Sequence, residues 1–261
     1  MSLVYVFAAS SMEGQPVEQI TGLPGNGTPG DLAHSLYGVN DFVLITGGMG
    51  PKAARAKATT ALGSSPLTDV TNSQRNRKPD AVLVVGLCGS LSSSLPEARI
   101  VTYTDCLSTQ PDQIPFRCSQ PITERLHALL VSRGVRCNRV VGVTSSRVAV
   151  TNEDKRALAA CGASAVDMES YEIVAAATQA GVPTAVLRVV SDSLDRKMPD
   201  FNRALNEDGG LDSRKFLKVA IGSPLLMARL LLVNKRAMRE LVKALEIVLP
   251  ADCFSQSDSL T

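Results

Sequence analysis

Residues 80–91 read DAVLVVGLCGSL, a short apolar run that stops at closely spaced glycines, and this pattern is the strongest indication of the fold class. Asp80–Val85 is rich in β-branched residues and is predicted to be a buried strand, with Gly86–Gly89 as the loop after it. Phe42–Thr46 followed by Gly47–Gly50 repeats the arrangement. Both segments therefore indicate strands that turn through glycine into the next element.

Further apolar runs extend this pattern along the chain, with helical segments between them. Strands are predicted at Leu3–Ala9, Arg99–Thr104, Arg139–Thr144, Ala163–Val166 and Thr184–Val190, and helices at 52–62 and 171–180. Strands that alternate with helices favour an α/β fold, with a central mixed, largely parallel sheet covered on both faces. We expect one domain over residues 1–250, of which 201–250 form a helical C-terminal extension, and a flexible tail at 251–261.

Composition excludes several functional classes. The 27 Lys and Arg nearly balance 25 Asp and Glu, so the chain has no charge excess that would indicate nucleic-acid binding. Six dispersed cysteines and two histidines lack the spacing of a zinc site and suit a reducing compartment. There is no signal-peptide pattern and no run of about 20 apolar residues that would span a bilayer. The expected location is the cytoplasm.

The C-terminal segment has a different composition. Lys215–Val248 has helical periodicity interrupted at Pro224, and the strongly apolar Leu225–Val233 lies among Lys and Arg residues. Two interpretations remain open. The segment is either a pair of amphipathic helices packed on the sheet or a basic, apolar surface that contacts a membrane or a partner.

The glycine segments do not match the nucleotide-binding and hydrolase motifs that such loops often carry. No G-x-x-x-x-G-K-[ST] is present, Gly47–Gly50 lacks the G-x-G-x-x-G spacing, and Ser90–Ser94 is not a G-x-S-x-G turn. Kinase, dehydrogenase and serine hydrolase functions are therefore disfavoured. Ligands of open α/β sheets bind beyond the carboxyl ends of the strands, so the site is expected there.

Two acidic residues occupy such positions. Asp192 follows an apolar strand and is expected to be partly enclosed, and an enclosed carboxyl group without a partner stays protonated to higher pH, which suits a proton donor. Glu169 lies at an element boundary and could accept hydrogen bonds from sugar hydroxyls. The alternative for either residue is a helix N-cap or a buried ion pair.

The segments around these acids resemble a known family. Val166-Asp167-Met168-Glu169-Ser170, followed by Pro183–Arg188 and then Ser191-Asp192, is similar to the signature of the purine nucleoside phosphorylase and methylthioadenosine/adenosylhomocysteine nucleosidase superfamily. The likeness extends over Leu3 to Asp195. It implies a nucleoside phosphorylase-like three-layer fold and cleavage of the N-glycosidic bond of a purine, adenine-type nucleoside.

The resemblance also implies roles for individual residues. Asp192 would protonate, or hydrogen-bond to, the imidazole nitrogen of the departing purine, and Glu13 would activate water. The implied substrate-binding residues are Met168, Glu169, Ser191, Gly89 and Arg196, and Gly48 and Gly50 would contact phosphate. No metal or cofactor is implied, inorganic phosphate is a possible co-substrate, and a homo-oligomer is expected.

The sequence departs from the family at two places. Val84–Gly89 lacks the arginine and serine with which the phosphorylases hold phosphate, and Ser10–Glu13 is less acidic than the start of most nucleosidases. Either phosphate or water could therefore be the nucleophile. Small residues at Val148–Val150 occupy the position where nucleosidases place an aromatic residue on the base.

Ser191–Pro199 and the basic C-terminal helices are similar to the hopanoid-associated phosphorylase branch of the family. That resemblance implies an adenosyl-hopane lipid as substrate and contact of the C-terminal helices with the membrane surface. The alternatives are a non-catalytic nucleoside-binding protein on the same fold and a membrane-surface scaffold.

Overall fold

A computed structural model describes residues 1–23, 34–63, 78–206 and 212–255, and shows a mixed sheet covered by helices on both faces. The strands are β1 (Ser2–Ala8), β2 (His34–Tyr37), β3 (Asn40–Thr46), β4 (Ala81–Ser90), β5 (Ile100–Ser108), β6 (Phe116–Arg117), β7 (Cys137–Thr144), β8 (Ala165–Asp167) and β9 (Thr184–Asp192). The helices are α1 (Ser11–Thr21), α2 (Pro51–Leu62), α3 (Gln120–Ser132), α4 (Asn152–Ala159), α5 (Ser170–Gln179), α6 (Ser213–Gly222) and α7 (Pro224–Val248), with a 3₁₀ turn at Phe201–Ala204.

Strand pairing places the carboxyl ends of several strands together. β1 lies between β3 and β4, β9 pairs with β4, and all three pairings are parallel. β4, β8, β7, β5 and β9 pair in a closed ring in which β4–β8 and β5–β9 are antiparallel. The predicted α/β fold with a mixed, largely parallel sheet is confirmed.

The core has a layer on each side of the sheet. Alternate residues of β4 point to opposite faces: Val82 and Val84 pack with α2 and α5, and Leu83 and Val85 pack with α1, α3 and α7. A strand buried on both faces is a continuous apolar run rather than an alternating one. This packing explains why 81–85 is apolar at every position.

Two predicted boundaries are wrong. Gly86–Gly89 is not a loop, because β4 continues to Ser90 and pairs with β9 along this stretch. Gly86 has φ +144°, and a Cβ there would lie 2.5 Å from the guanidinium of Arg188. The glycine therefore permits a close side-chain approach within a strand.

The predicted tail at 251–261 also begins too early. Phe254 is fully buried and makes an edge-on contact with Phe42, with ring centroids 6.4 Å apart. Residues 251–255 thus belong to the core-facing structure, and 256–261 lie outside the described residues. The single domain over 1–250 stays a prediction.

The C-terminal helices pack on the sheet along only part of their length, and contact with a membrane or a partner stays a prediction. Pro224 begins α7, as predicted, and the second half of α7 packs on the sheet through residues such as Leu241 and Leu245. The first half is exposed, and Leu225 retains 86% of its surface. Within the described residues, no single helix is long and apolar enough to cross a membrane. Only the pair Arg214–Gly222 and Pro224–Val248, taken together, has the required length and apolarity, and these two helices meet at a 107° bend.

Candidate active site

A cavity of about 240 Å³ opens where the strands end. Six of the residues predicted to form the site line this cavity, namely Glu13, Gly89, Met168, Glu169, Ser191 and Asp192. They come from α1, β4, the turn between β8 and α5, and β9. The sheet topology therefore brings together residues that are far apart in sequence.

Glu13 is held at the N-terminus of α1. Ser10 caps this helix by accepting a hydrogen bond from the Glu13 amide at 3.3 Å. The carboxylate accepts one hydrogen bond from the Leu87 amide at 2.8 Å and another from the Ser10 hydroxyl at 3.3 Å. Glu13 is 8% exposed, so its carboxylate is fixed at the wall of the cavity.

Glu169 belongs to a buried charge network around Arg188. The Glu169 Oε1 accepts a hydrogen bond from the Gly50 amide at 3.0 Å, and its Oε2 lies 3.5 Å from Arg188 Nη2. Arg188 Nε also lies 3.6 Å from Asp167 Oδ2. Burial raises the pKa of Glu169 to about 7, an effect that the Arg188 charge partly opposes. The carboxylate and acid forms of Glu169 are thus both accessible near neutral pH.

Arg188 was not among the predicted site residues, although a single arginine within an apolar strand was a visible signal for it. The side chain is 1% exposed and donates to the Ser170 hydroxyl at 3.0 Å. A buried guanidinium requires charged partners, and Asp167 and Glu169 supply them. Arg188 therefore lies behind the cavity wall and fixes two of the acids that line the cavity.

Asp192 has a partner that the sequence did not reveal. Its Oδ2 lies 2.5 Å from the ammonium of Lys155, whose side chain is completely buried, and its Oδ1 accepts from the Ser191 hydroxyl at 2.8 Å. The expectation of a partnerless carboxyl group is wrong, and the alternative of a buried ion pair is what the structure shows. Lys155 gave no signal because it lies in the charged segment Asn152–Arg156, which is typical of a solvent-exposed helix.

The glycine amides predicted to contact phosphate are already used. Gly48 donates its amide to the Ala9 carbonyl at 3.2 Å, and Gly50 donates to Glu169. The predicted phosphate site at these two residues does not agree with this geometry. The loop instead orients the Glu169 carboxylate.

Arg196 is exposed and lies outside the residues that line the cavity, so its predicted contact with substrate does not agree with the structure. Its main-chain carbonyl instead accepts a hydrogen bond from Lys155 at 3.2 Å. Met198 and the small residues Val148 and Ala149 line the cavity.

The site contains no metal-binding cluster in the part of the chain that the structure describes: no three His, Cys, Asp or Glu side chains there are arranged to hold an ion. Its chemistry is that of several acids around an apolar cavity. Such an arrangement can bind hydroxyl groups, transfer protons and enclose an apolar ring.

Comparison with known proteins identifies the family. Residues 7–218 match the family described as the phosphorylase superfamily. The chain belongs to the phosphorylase superfamily. The resemblance to this superfamily is therefore confirmed, and so, at the level of the family, is the prediction of a nucleoside phosphorylase or nucleosidase. The likeness to the hopanoid-associated branch stays a prediction. A comparison with curated proteins found no match.

Several solved structures of other proteins have the same fold as this superfamily member. A 5′-methylthioadenosine/S-adenosylhomocysteine nucleosidase from Neisseria meningitidis, in complex with methylthio-immucillin-A, is 16% identical with a TM-score of 0.71, over 96% of this chain and 99% of that one. A futalosine hydrolase mutant from Helicobacter pylori is 15% identical with a TM-score of 0.64, over 93% and 99%. At this identity the likeness establishes the fold, and it confirms the predicted three-layer architecture.

Proposed function

We propose that this protein hydrolyses the N-glycosidic bond of an adenine-type purine nucleoside. The observation that carries the proposal is the meeting of Glu13, Glu169 and Asp192 at one cavity from three separate elements. Because these acids lie on different sides of the cavity, one can donate a proton, another can accept a proton and the third can bind the sugar. Nucleosidases of the same fold bind nucleosides or their analogues, as in the Helicobacter pylori enzyme with 5′-methylthioadenosine in its active site.

The proposed reaction breaks the bond between the sugar C1′ and the purine nitrogen. The Asp192 carboxylate takes up a proton from solvent and donates it to the imidazole ring, so that the base departs neutral. A water oxygen bonds to C1′, and its proton passes to the Glu13 carboxylate. Solvent then exchanges these protons, which restores both groups. Glu169 accepts hydrogen bonds from the ribose hydroxyls, and Met168 packs against the sugar.

Water suits this cavity better than phosphate does. Four acids line it (Glu13, Asp167, Glu169 and Asp192), and Arg147, which is exposed, is the cation among the described lining residues. Lys155 and Arg188 pair with three of these acids but do not line the cavity, so an entering phosphate dianion meets the carboxylates rather than these two cations. The Gly48 and Gly50 amides are also occupied, so neither offers a prepared site for phosphate.

Product analysis tests the choice of nucleophile. The purified protein is incubated with 5′-methylthioadenosine or adenosine, with and without phosphate, and the sugar product is identified by mass spectrometry. We expect free sugar in both conditions and the same rate of base release. A sugar phosphate, or a rate that depends on phosphate, would show that the protein is a phosphorylase.

Replacing the proton donor tests the catalytic assignment. Asp192→Asn removes the proton but keeps the shape of the side chain, and we expect base release to fall about 100- to 10,000-fold. Asp195→Asn is the matched control because it removes a nearby exposed carboxylate that does not line the cavity. Parent-like activity in a folded Asp192→Asn protein would refute the role. If the parent protein binds nucleosides but releases no base, the protein is a non-catalytic nucleoside-binding protein.

We propose further that the nucleoside carries a large apolar 5′ substituent, of which an adenosyl-hopane lipid is one example. Four methionines line the cavity, Met12, Met49, Met168 and Met198. Methionine is flexible and polarisable, so it adapts to irregular hydrocarbon surfaces. The test is a series of 5′-alkylthio adenosines: kcat/KM should rise with chain length, and a fall beyond the methyl compound would exclude a lipid-tailed substrate.

We also propose that the exposed part of the C-terminal helices contacts an anionic membrane, and that the protein is a homo-oligomer. Residues 213–239 contain seven Lys or Arg and no Asp or Glu. Leu217, Ile221, Leu225, Leu231 and Leu232 are each more than half exposed there. Basic charge beside exposed leucine is the combination that binds anionic lipid surfaces.

A further inference from the structure

Lys155 is a fully buried lysine beside the proposed proton donor. It lies on α4, which begins at a capping box formed by Thr151 and Asp154. Its side chain has no exposed surface, and its ammonium reaches past its own helix to the end of β9. A buried ammonium is costly unless it is paired and fully hydrogen-bonded, so its position requires explanation.

The ammonium has three acceptors for its three donors. It donates to Asp192 Oδ2 at 2.5 Å, to the Ser193 carbonyl at 2.6 Å and to the Arg196 carbonyl at 3.2 Å. Since a lysine ammonium has only three hydrogens, none remains for a substrate. Lys155 therefore acts on the cavity only through Asp192 and the segment that follows it.

The carboxylate of Asp192 is held on both of its oxygens. Lys155 contacts Oδ2 and the Ser191 hydroxyl contacts Oδ1. The carboxylate also lies close to the main chain of Gly89, where an added Cβ would be 3.1 Å from Oδ2. Each carboxylate oxygen has a second lone pair, so both can still contact a purine. The carboxyl group is thus fixed in position without being blocked.

We propose that Lys155 is a positioning residue for base release, which rests on the hydrolytic function proposed above. Asp192 becomes a carboxylate as its proton moves to the purine. In a buried site this developing charge raises the barrier unless a positive charge is already in place. Lys155 provides that charge, and its two contacts with main-chain carbonyls keep it in place through the reaction.

Lys155→Met tests the proposal, because it keeps the length of the side chain and removes its charge. We expect kcat to fall about 100-fold, the effect of losing one preorganised electrostatic donor. KM should change less than about threefold, because Lys155 has no hydrogen left for substrate. Lys155→Arg keeps the charge and should recover part of the lost kcat. Lys243→Met, at an exposed lysine paired with Glu240, is the control for simple charge removal.

Stability is measured beside activity, since an unpaired buried carboxylate destabilises a protein. Circular dichroism melts set an assay temperature at which every variant is folded, and Lys155→Gln serves as a second neutral variant. The double variant Lys155→Met/Asp192→Asn should recover stability but not activity. Folded neutral variants with kcat within threefold of the parent would overturn the role of Lys155. A parent protein that releases no base would instead overturn the proposed function.

Discussion

Glu169 lies where two opposing forces act on one carboxyl group. The Gly50 amide and the Arg188 guanidinium favour its charged form, and burial among Asp167 and Glu13 favours its neutral form. Burial is the stronger effect, and it raises the pKa of Glu169 to about 7. The residue proposed to accept hydrogen bonds from the ribose hydroxyls is then about half protonated at neutral pH.

This balance predicts pH-dependent nucleoside binding. Because the pKa is raised, the carboxylate is present above about pH 7 and is lost as the pH falls through that value. Between pH 8 and pH 6 we expect Kd for a nucleoside to rise about fivefold to tenfold. Calorimetry on the inactive Asp192→Asn variant measures Kd without turnover. The double variant Asp192→Asn/Glu169→Gln should bind the nucleoside weakly at every pH. If its Kd still changes with pH as strongly as in Asp192→Asn alone, a group other than Glu169 titrates.

At the scale of elements, the arrangement of the site depends on close packing between strands. β7 and β5 pair in parallel, and the Tyr103 ring of β5 lies across the main chain of Gly142 in β7. Tyr103 is 1% exposed and belongs to the core cluster that includes α5, the helix that follows Glu169. The absence of a side chain at 142 thus sets the distance between this strand and the core.

Gly142→Ala is therefore expected to destabilise the protein. A Cβ at this position would lie 2.0 Å from Tyr103 Cε2, so the ring and the strand would have to move apart. Overpacking of this kind costs about 1–3 kcal/mol, measured as the free energy of unfolding in urea. Gly222→Ala, where an added Cβ meets nothing within 4 Å, is the control. A difference below about 0.5 kcal/mol between the two variants would mean that the ring moves freely.

At the scale of the whole molecule, α7 joins two environments. Its second half is buried through Ala237, Leu241 and Leu245, and its first half extends into solvent together with α6. The exposed half lies close to the site, because Arg229 is 3.9 Å from Glu97, which also accepts a hydrogen bond from Ser193 beside Asp192. A membrane bound at this surface would hold the cavity near its lipids.

Vesicle co-sedimentation tests this surface. The parent protein should bind vesicles that contain anionic lipid, and binding should weaken with salt because charge contributes to it. The triple variant Leu225→Glu, Leu231→Glu, Leu232→Glu should lose binding. The matched control replaces exposed apolar residues elsewhere, at Leu36, Ile114 and Val131. Binding by the triple variant, or none by the parent, would exclude the membrane contact.

The mass in solution separates membrane contact from self-association. Light scattering should give at least twice the 27.6 kDa of one chain for the parent, as the predicted homo-oligomer requires. The triple variant should have the same mass. If it dissociates instead, the leucine surface joins two copies of the chain.

Sequence reasoning predicted the fold and three of the four acids of the cavity; Asp167 was not among the predicted site residues. Buried strands are continuous apolar runs, so most strands could be read directly, and Asp192 and Glu169 follow such strands in family-specific contexts. The short β2 and β6 were not predicted, nor were α1, α3 and α4, because their weaker patterns depend on the surface against which they pack.

The contacts of each acid follow from the folded chain and not from its local sequence. Lys155 and Asp192 are 37 residues apart, and Glu13 and Leu87 are 74 apart. Ion pairs and hydrogen bonds of this range depend on how the sheet closes, which no local pattern encodes. The glycines of Gly86–Gly89 were predicted to form a loop because local sequence does not show that this stretch pairs with β9. In the structure it is part of β4, and Gly86 leaves space for the Arg188 side chain. The sequence identified most of the acids that meet at the cavity, and the folded chain determined their partners and hence the charge each can hold.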